Sequence, residues 1–151
     1  MVITKIGDLS RRIALLGAVL CCLTACTERL DVQETFVGSC WEKVDTLYYA
    51  VSSPGTVSLT PTIFFTNDYS YRNLYLKVLV KEENILLADT MLQQVFMDEM
   101  GVWSVPYQGG TYRVAYEVQL TLPPTTTRIG LVQYMRDDAL CGIESAGFRI
   151  E

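Results

Sequence analysis

The chain has 151 residues, 12 Lys+Arg against 17 Asp+Glu for a formal net charge of −5, and 50% hydrophobic residues. That length holds one domain with a real core, and the acidic balance offers no cationic footprint for phosphate backbones, so nucleic acid is not an expected partner. The sequence has no His, which excludes Ser-His-Asp and Cys-His catalysis and His-ligated metals; no catalytic residue, metal or cofactor is expected.

Lys5, Arg11 and Arg12 come first, an apolar run follows from Ile13 to Leu23, and Thr24 and Ala25 stand directly before Cys26. Basic, apolar and small residues in that order make a secretory signal. As a helix the run reaches only about 17 Å, short of the ~30 Å hydrocarbon core, so it does not anchor by spanning. Leu23-Thr24-Ala25-Cys26 resembles the lipobox of bacterial lipoproteins, in which the Cys sulfur receives a diacylglycerol and the preceding peptide bond is cut. The expectation is a cleaved signal over residues 1–25 and a mature chain that begins at Cys26. Two or more acyl chains on that sulfur hold a protein stably, where a single chain binds only marginally. Thr27 occupies the place where Asp would suggest inner-membrane retention, and no acidic run follows to resemble a surface-export signal. The expected location is the outer membrane, facing the periplasm.

Residues 26–35 read as the lipidated Cys and a short polar tether, and residues 36–151 as one domain. The fold class expected is all-β, a single antiparallel β-sandwich of about seven strands. Strands are predicted at Thr46–Ser52 and Thr56–Asn67, where Pro61 suggests a sheet edge because it lacks an N–H to donate. Leu74, Leu76, Val78 and Val80 alternate with polar neighbours, as do Tyr112, Val114, Tyr116, Val118 and Leu120, and these predict the two clearest strands. Further strands are predicted at Ile85–Phe96, Arg128–Arg136 and Gly147–Ile150. Ser53-Pro54-Gly55 and Gly109-Gly110 mark turns, and Asp137–Ile143 reads as a short helical turn. Gly142 and Gly147 read as turn glycines. Glu82-Glu83, Asp98-Glu99 and Asp137-Asp138 read as solvated turn residues, not as paired catalytic carboxylates.

Cysteine use follows from the cleavage site. Cys21 and Cys22 leave with the signal and Cys26 is acylated, so only Cys40 and Cys141 remain. They are either a disulfide closing a loop of roughly 100 residues or two separate thiols.

Three pieces of sequence occur in a particular order. They are Asp68-Tyr69-Ser70-Tyr71-Arg72-Asn73-Leu74, then Asp89-Thr90 ahead of Gly101-Val102-Trp103, then Met135-Arg136-Asp137-Asp138-Ala139-Leu140-Cys141-Gly142-Ile143 closing on Gly147-Phe148-Arg149-Ile150-Glu151. Together they resemble the gliding-motility lipoprotein GldH family of Bacteroidetes over most of the mature domain. Ser104-Val105-Pro106-Tyr107 departs from the glycine-rich run the family tends to show there. The resemblance implies an envelope lipoprotein associated with a gliding and protein-secretion apparatus, with no established catalytic residues to carry over. The expected function is therefore a non-catalytic accessory or scaffold protein, with membrane contact through the lipid and other envelope proteins as partners. The alternative is a glycan- or peptide-binding sandwich.

The residues themselves offer three candidate features. Arg136 with Tyr71 and Asn73 is the most suggestive polar set, because Arg and Asn brace loops or bind partners through multidentate hydrogen bonds. Trp103, Tyr107 and Tyr112 cluster in sequence around a loop, as loop packing or as a stacking surface. Asp45-Thr46-Leu47 and Asp89-Thr90-Met91 resemble the Asp-Ser/Thr-apolar acceptor of O-glycosylation in Bacteroidetes, which makes Thr46 and Thr90 candidate glycan sites.

Overall fold

A computed structural model of the chain describes residues 30–52 and 55–151. The predicted signal, Cys26 and the Ser53-Pro54 half of the predicted turn lie outside these residues. In chain order the strands are β1 (Val32–Thr35), β2 (Cys40–Glu42), β3 (Leu47–Ala50), β4 (Gly55–Phe65), β5 (Asn73–Glu82), β6 (Ile85–Val95), β7 (Tyr107–Gln108), β8 (Thr111–Ala115), β9 (Val118–Leu122), β10 (Arg128–Gln133), β11 (Ala139–Cys141) and β12 (Ile143–Ile150). One sheet runs β1-β12-β4-β8-β7, with β9 also paired to β4; the second runs β3-β10-β5-β6; β2 and β11 form a two-stranded ribbon.

Period-two alternation builds the core. On β5 the side chains of Leu74, Leu76, Val78 and Val80 are buried, while Tyr75 and Lys77 between them are not. Ile129 and Leu131 of β10 join them from the same sheet, and Leu59, Ile63 and Phe65 of β4 with Ala146 and Phe148 of β12 meet them from the other. Both sheets thus bury their inner faces in one cluster, the antiparallel sandwich the sequence predicts. Each such aliphatic or aromatic side chain contributes about 1.5–3 kcal/mol by leaving water.

The strands exceed the predicted seven because several short ones carry no alternation. The chain enters the sheet at Val32, paired with Phe148, so the stretch expected to be tether as far as residue 35 is already strand. Its Gln33, Glu34 and Thr35 are exposed, which hides it from a hydrophobicity pattern. The segment predicted as a helical turn after Asp137 is instead β11, whose Leu140 faces Trp41 and whose Cys141 faces Cys40 across the ribbon.

The predicted strand over 112–120 is broken into β8 and β9, and the break explains Pro61. Far from an edge, β4 is flanked by β12 on one side and by β9 and then β8 on the other. Pairing with β9 ends at Leu59 and pairing with β8 begins at Thr62. The Pro61 carbonyl accepts from Tyr116 N–H at 3.3 Å, so its ring nitrogen also turns toward the β8–β9 break, where a missing donor interrupts nothing.

Of the two predicted turn glycines, Gly142 does turn the chain, at φ +86. Gly147 lies within β12 instead, and a Cβ there would stand 2.4 Å from the Val32 carbonyl oxygen. Its role is to let β1 approach.

Candidate binding site

The outer face of the second sheet carries a groove of about 750 Å³, lined by Tyr71, Tyr75, Met91, Tyr134, Met135, Arg136 and Asp137. Sequence alternation places its floor. On β5 the residues opposite the buried leucines point outward, so Tyr75 and Lys77 face away from the core, and Met91 joins them as the cross-strand partner of Lys77.

Its rim is the loop after β10, and a buried polar side chain holds that loop. Ile129, Leu131 and Gln133 face inward in alternation, and Gln133 is fully buried. Its Nε2 donates to the Asp137 carbonyl at 3.1 Å, and its Oε1 accepts the Met135 N–H at 2.8 Å. Tyr75 N–H meets Met135 Sδ at 3.3 Å, tying loop to floor. Bracing, one of the two roles left open for Arg136, is carried here by Gln133. The signal for it was present in the sequence, an amide at an inward position of an otherwise apolar strand.

The predicted set of Tyr71, Asn73 and Arg136 is brought together only in part. The Tyr71 hydroxyl donates to the Asp137 carboxylate, and this bond holds the phenol above its ordinary pKa. Asn73 contributes its carbonyl, which accepts from Tyr69 at 2.8 Å. The exposed Arg136 lines the groove, and among the described residues no hydrogen bond, ion pair or ring contact engages its guanidinium. The other nearby cation is occupied, because Lys77 bonds Asp89 at 2.9 Å and lies 4.1 Å over the Tyr134 ring. The bond to Asp89 raises its pKa. An aromatic and thioether floor with one unengaged guanidinium at its rim suits an apolar or aromatic group that carries a neighbouring carboxylate.

Trp103, Tyr107 and Tyr112 do cluster, but two of the three close the end of the core. Trp103 and Tyr112 lie 5.1 and 5.2 Å from the buried Phe65 ring, and Tyr107, 58% exposed, leans on Tyr112 at 4.7 Å. Thr46 is half-buried just before β3, and Thr90 is exposed on β6. Cys40 and Cys141 are joined in a disulfide at a sequence separation of 101. Among the described residues no group of His, Cys, Asp and Glu is placed to hold a metal ion. No helix among them is long and apolar enough to cross a membrane.

Comparison with known proteins gives one match. The family model described as GldH lipoprotein covers residues 30–150. No curated protein and no solved structure matches the chain.

Proposed function

This chain belongs to the GldH lipoprotein family, and on that premise we propose that it is a non-catalytic accessory protein of the cell envelope. Lipid on Cys26 holds it on the outer membrane, facing the periplasm, where it contacts other proteins of a motility and secretion apparatus. The observation that carries the contact role is the unengaged Arg136 at the rim of an aromatic groove. A guanidinium that braces nothing is available to a partner's carboxylate.

The test is recovery of the lipidated protein from its own membranes. Arg136→Glu is expected to lose co-purifying envelope proteins while keeping the wild-type urea midpoint; unchanged recovery refutes the contact role. A mature product that retains Met1 and bears no fatty acid refutes the anchor, and cleavage of the domain by protease added to intact cells refutes the orientation. A second reading, a glycan- or peptide-binding module, is favoured by the tyrosine lining of the same groove. Saturable binding of a soluble oligosaccharide or peptide, abolished by Tyr75→Ala, selects it.

A further inference from the structure

The chain leaves its proposed lipid at one end of the sandwich. Only Thr27, Glu28 and Arg29 separate Cys26 from Leu30, so the Cα atoms of Cys26 and Leu30 stand at most about 14 Å apart. Leu30 leads into β1, which starts opposite the last turn of pairing on β12, and Glu151 exchanges backbone hydrogen bonds with Ser58 near the start of β4. Val51 and Ser52 after β3 and Leu122 at the end of β9 gather with Ile150 around one small cavity at this same end. The aromatic groove lies at the other end. Tyr71 comes just before Asn73, the first residue of β5, whereas Lys81 is next to the last, about 25 Å along the strand.

The lipid-side end carries a like-charge pair. Lys81 of β5 lies directly opposite Arg128 of β10, an arrangement that costs stability when nothing neutralises it. No carboxylate does so: among the described residues neither cation forms an ion pair, with Glu82 and Glu83 or with any other acid. Both converge on Tyr48 instead. The Lys81 ammonium donates to the Tyr48 hydroxyl at 3.0 Å and pulls that phenol below its ordinary pKa. Arg128 lies 4.7 Å over the Tyr48 ring, and its Nη2 donates to Asn84 Oδ1 at 2.6 Å. Its Nε is buried and has no hydrogen-bond partner among the described residues. Gly130 makes room for the ring, since a Cβ there would stand 2.8 Å from Tyr48 Cε1.

We infer that Tyr48, Lys81 and Arg128 form a contact site for the headgroup phosphates of the bilayer to which Cys26 is fixed; this rests on the acylation proposed above. A phosphodiester oxygen supplies the negative charge that the pair lacks and accepts from both donors. Tyr48, 40% exposed between two basic side chains, has the apolar body and polar tip that suit the membrane–water interface. The tether selects the source of the phosphate. β1 lies beside β3, and β3, β10 and β5 are successive strands, so the cluster sits about 10–20 Å from the start of β1. Anchoring therefore keeps headgroups within reach at a high effective concentration. With this end docked, the groove is turned away from the bilayer.

Fluorescence quenching of the full, lipidated protein in vesicles of phosphatidylethanolamine and phosphatidylglycerol tests this. Only protein whose intact mass shows the acyl chains is reconstituted, so a negative result falls on the site and not on the anchor. With Cys26 acylated and Cys40 bonded to Cys141, the exposed Thr125, replaced by Cys, carries one fluorophore at the lipid-side end, and Met100→Cys carries one at the groove end. Lipid spin-labelled at its headgroup is expected to quench the first label and spare the second. Replacing Lys81 and Arg128 together by Gln is expected to lower the ratio of docked to undocked protein about 30-fold and so release the quenching. The urea midpoint is expected to stay unchanged or rise, because the like-charge opposition is gone. Equal quenching of the two labels, quenching that survives the double substitution, or a lowered midpoint overturns the inference. Stabilisation by inorganic phosphate in detergent, with both labels unquenched in vesicles, identifies a free anion as the ligand and also overturns it.

Discussion

Gly142→Ala separates a conformational cost from a steric one. The residue stands between β11 and β12 at φ +86, a region that costs a non-glycine residue about 1–2 kcal/mol. An added Cβ would meet Tyr69 N at 2.2 Å, Tyr69 Cα at 2.6 Å and the Asp68 carbonyl carbon at 2.7 Å. These are backbone atoms of a turn that is itself held. Thr66 N–H donates to the Gly142 carbonyl at 2.8 Å, and Tyr69 N–H donates to the Thr66 carbonyl at 3.2 Å. Relief therefore requires shifting a strand end, and such overpacking costs about 1–3 kcal/mol. The two together come to about 2–5 kcal/mol, which lowers Tm by roughly 8–20 °C in a domain of this size. Gly101 has φ +82 and open space around it, so Gly101→Ala carries only the conformational part, about 1–2 kcal/mol. Urea unfolding followed by Trp fluorescence measures both, since Trp41 is fully buried. A Gly142→Ala variant no less stable than Gly101→Ala refutes the clash.

Replacing Cys40 and Cys141 together by Ala opens a loop of 101 residues and is expected to cost about 4–5 kcal/mol, read as a lowered urea midpoint; a change under about 1 kcal/mol contradicts it. Burial pushes the phenols of Tyr69 and Tyr116 well above their ordinary pKa. Below about pH 10 the folded and unfolded chains both keep these protons; above it only the unfolded chain releases them, so stability falls as pH rises, by about 1.4 kcal/mol per pH unit for each tyrosine. Unfolding free energies measured between pH 9.5 and 11.5 check this, and a flat profile refutes it. Among the described residues the buried Tyr116 hydroxyl has no hydrogen-bond partner, so Tyr116→Phe is expected to stabilise by up to about 1 kcal/mol at pH 7 and to halve that alkaline slope.

The long strands β4 and β5 were legible because each presents one face to the core: β5 shows its buried residues as every second letter, and β4 departs from that alternation only at Thr62. What escaped had no such face. Gln33, Glu34 and Thr35 of β1 are exposed, and β2 and β11 are only three residues each, held by pairing between Trp41 and Leu140 that no local pattern reveals. Pro61 misled for a physical reason, since its consequence depends on what stands opposite, and only the tertiary arrangement puts the β8–β9 break there. At the candidate site, Tyr71 and Arg136 were found as residue types, but their roles were not. Guanidinium and phenol are both versatile, and it is the inward register of Gln133 that decides which residue carries the loop.

The clasp between Cys40 and Cys141 also bears on when the groove is complete. The ribbon it closes continues into the rim, where Lys43 N–H donates to the Asp138 carbonyl at 2.6 Å, next to Arg136 and Asp137. A copy still in a reducing compartment lacks that covalent closure. On the proposed envelope location, the surface offered to partners is finished only after translocation, so oxidation dates the molecule, marking it as arrived.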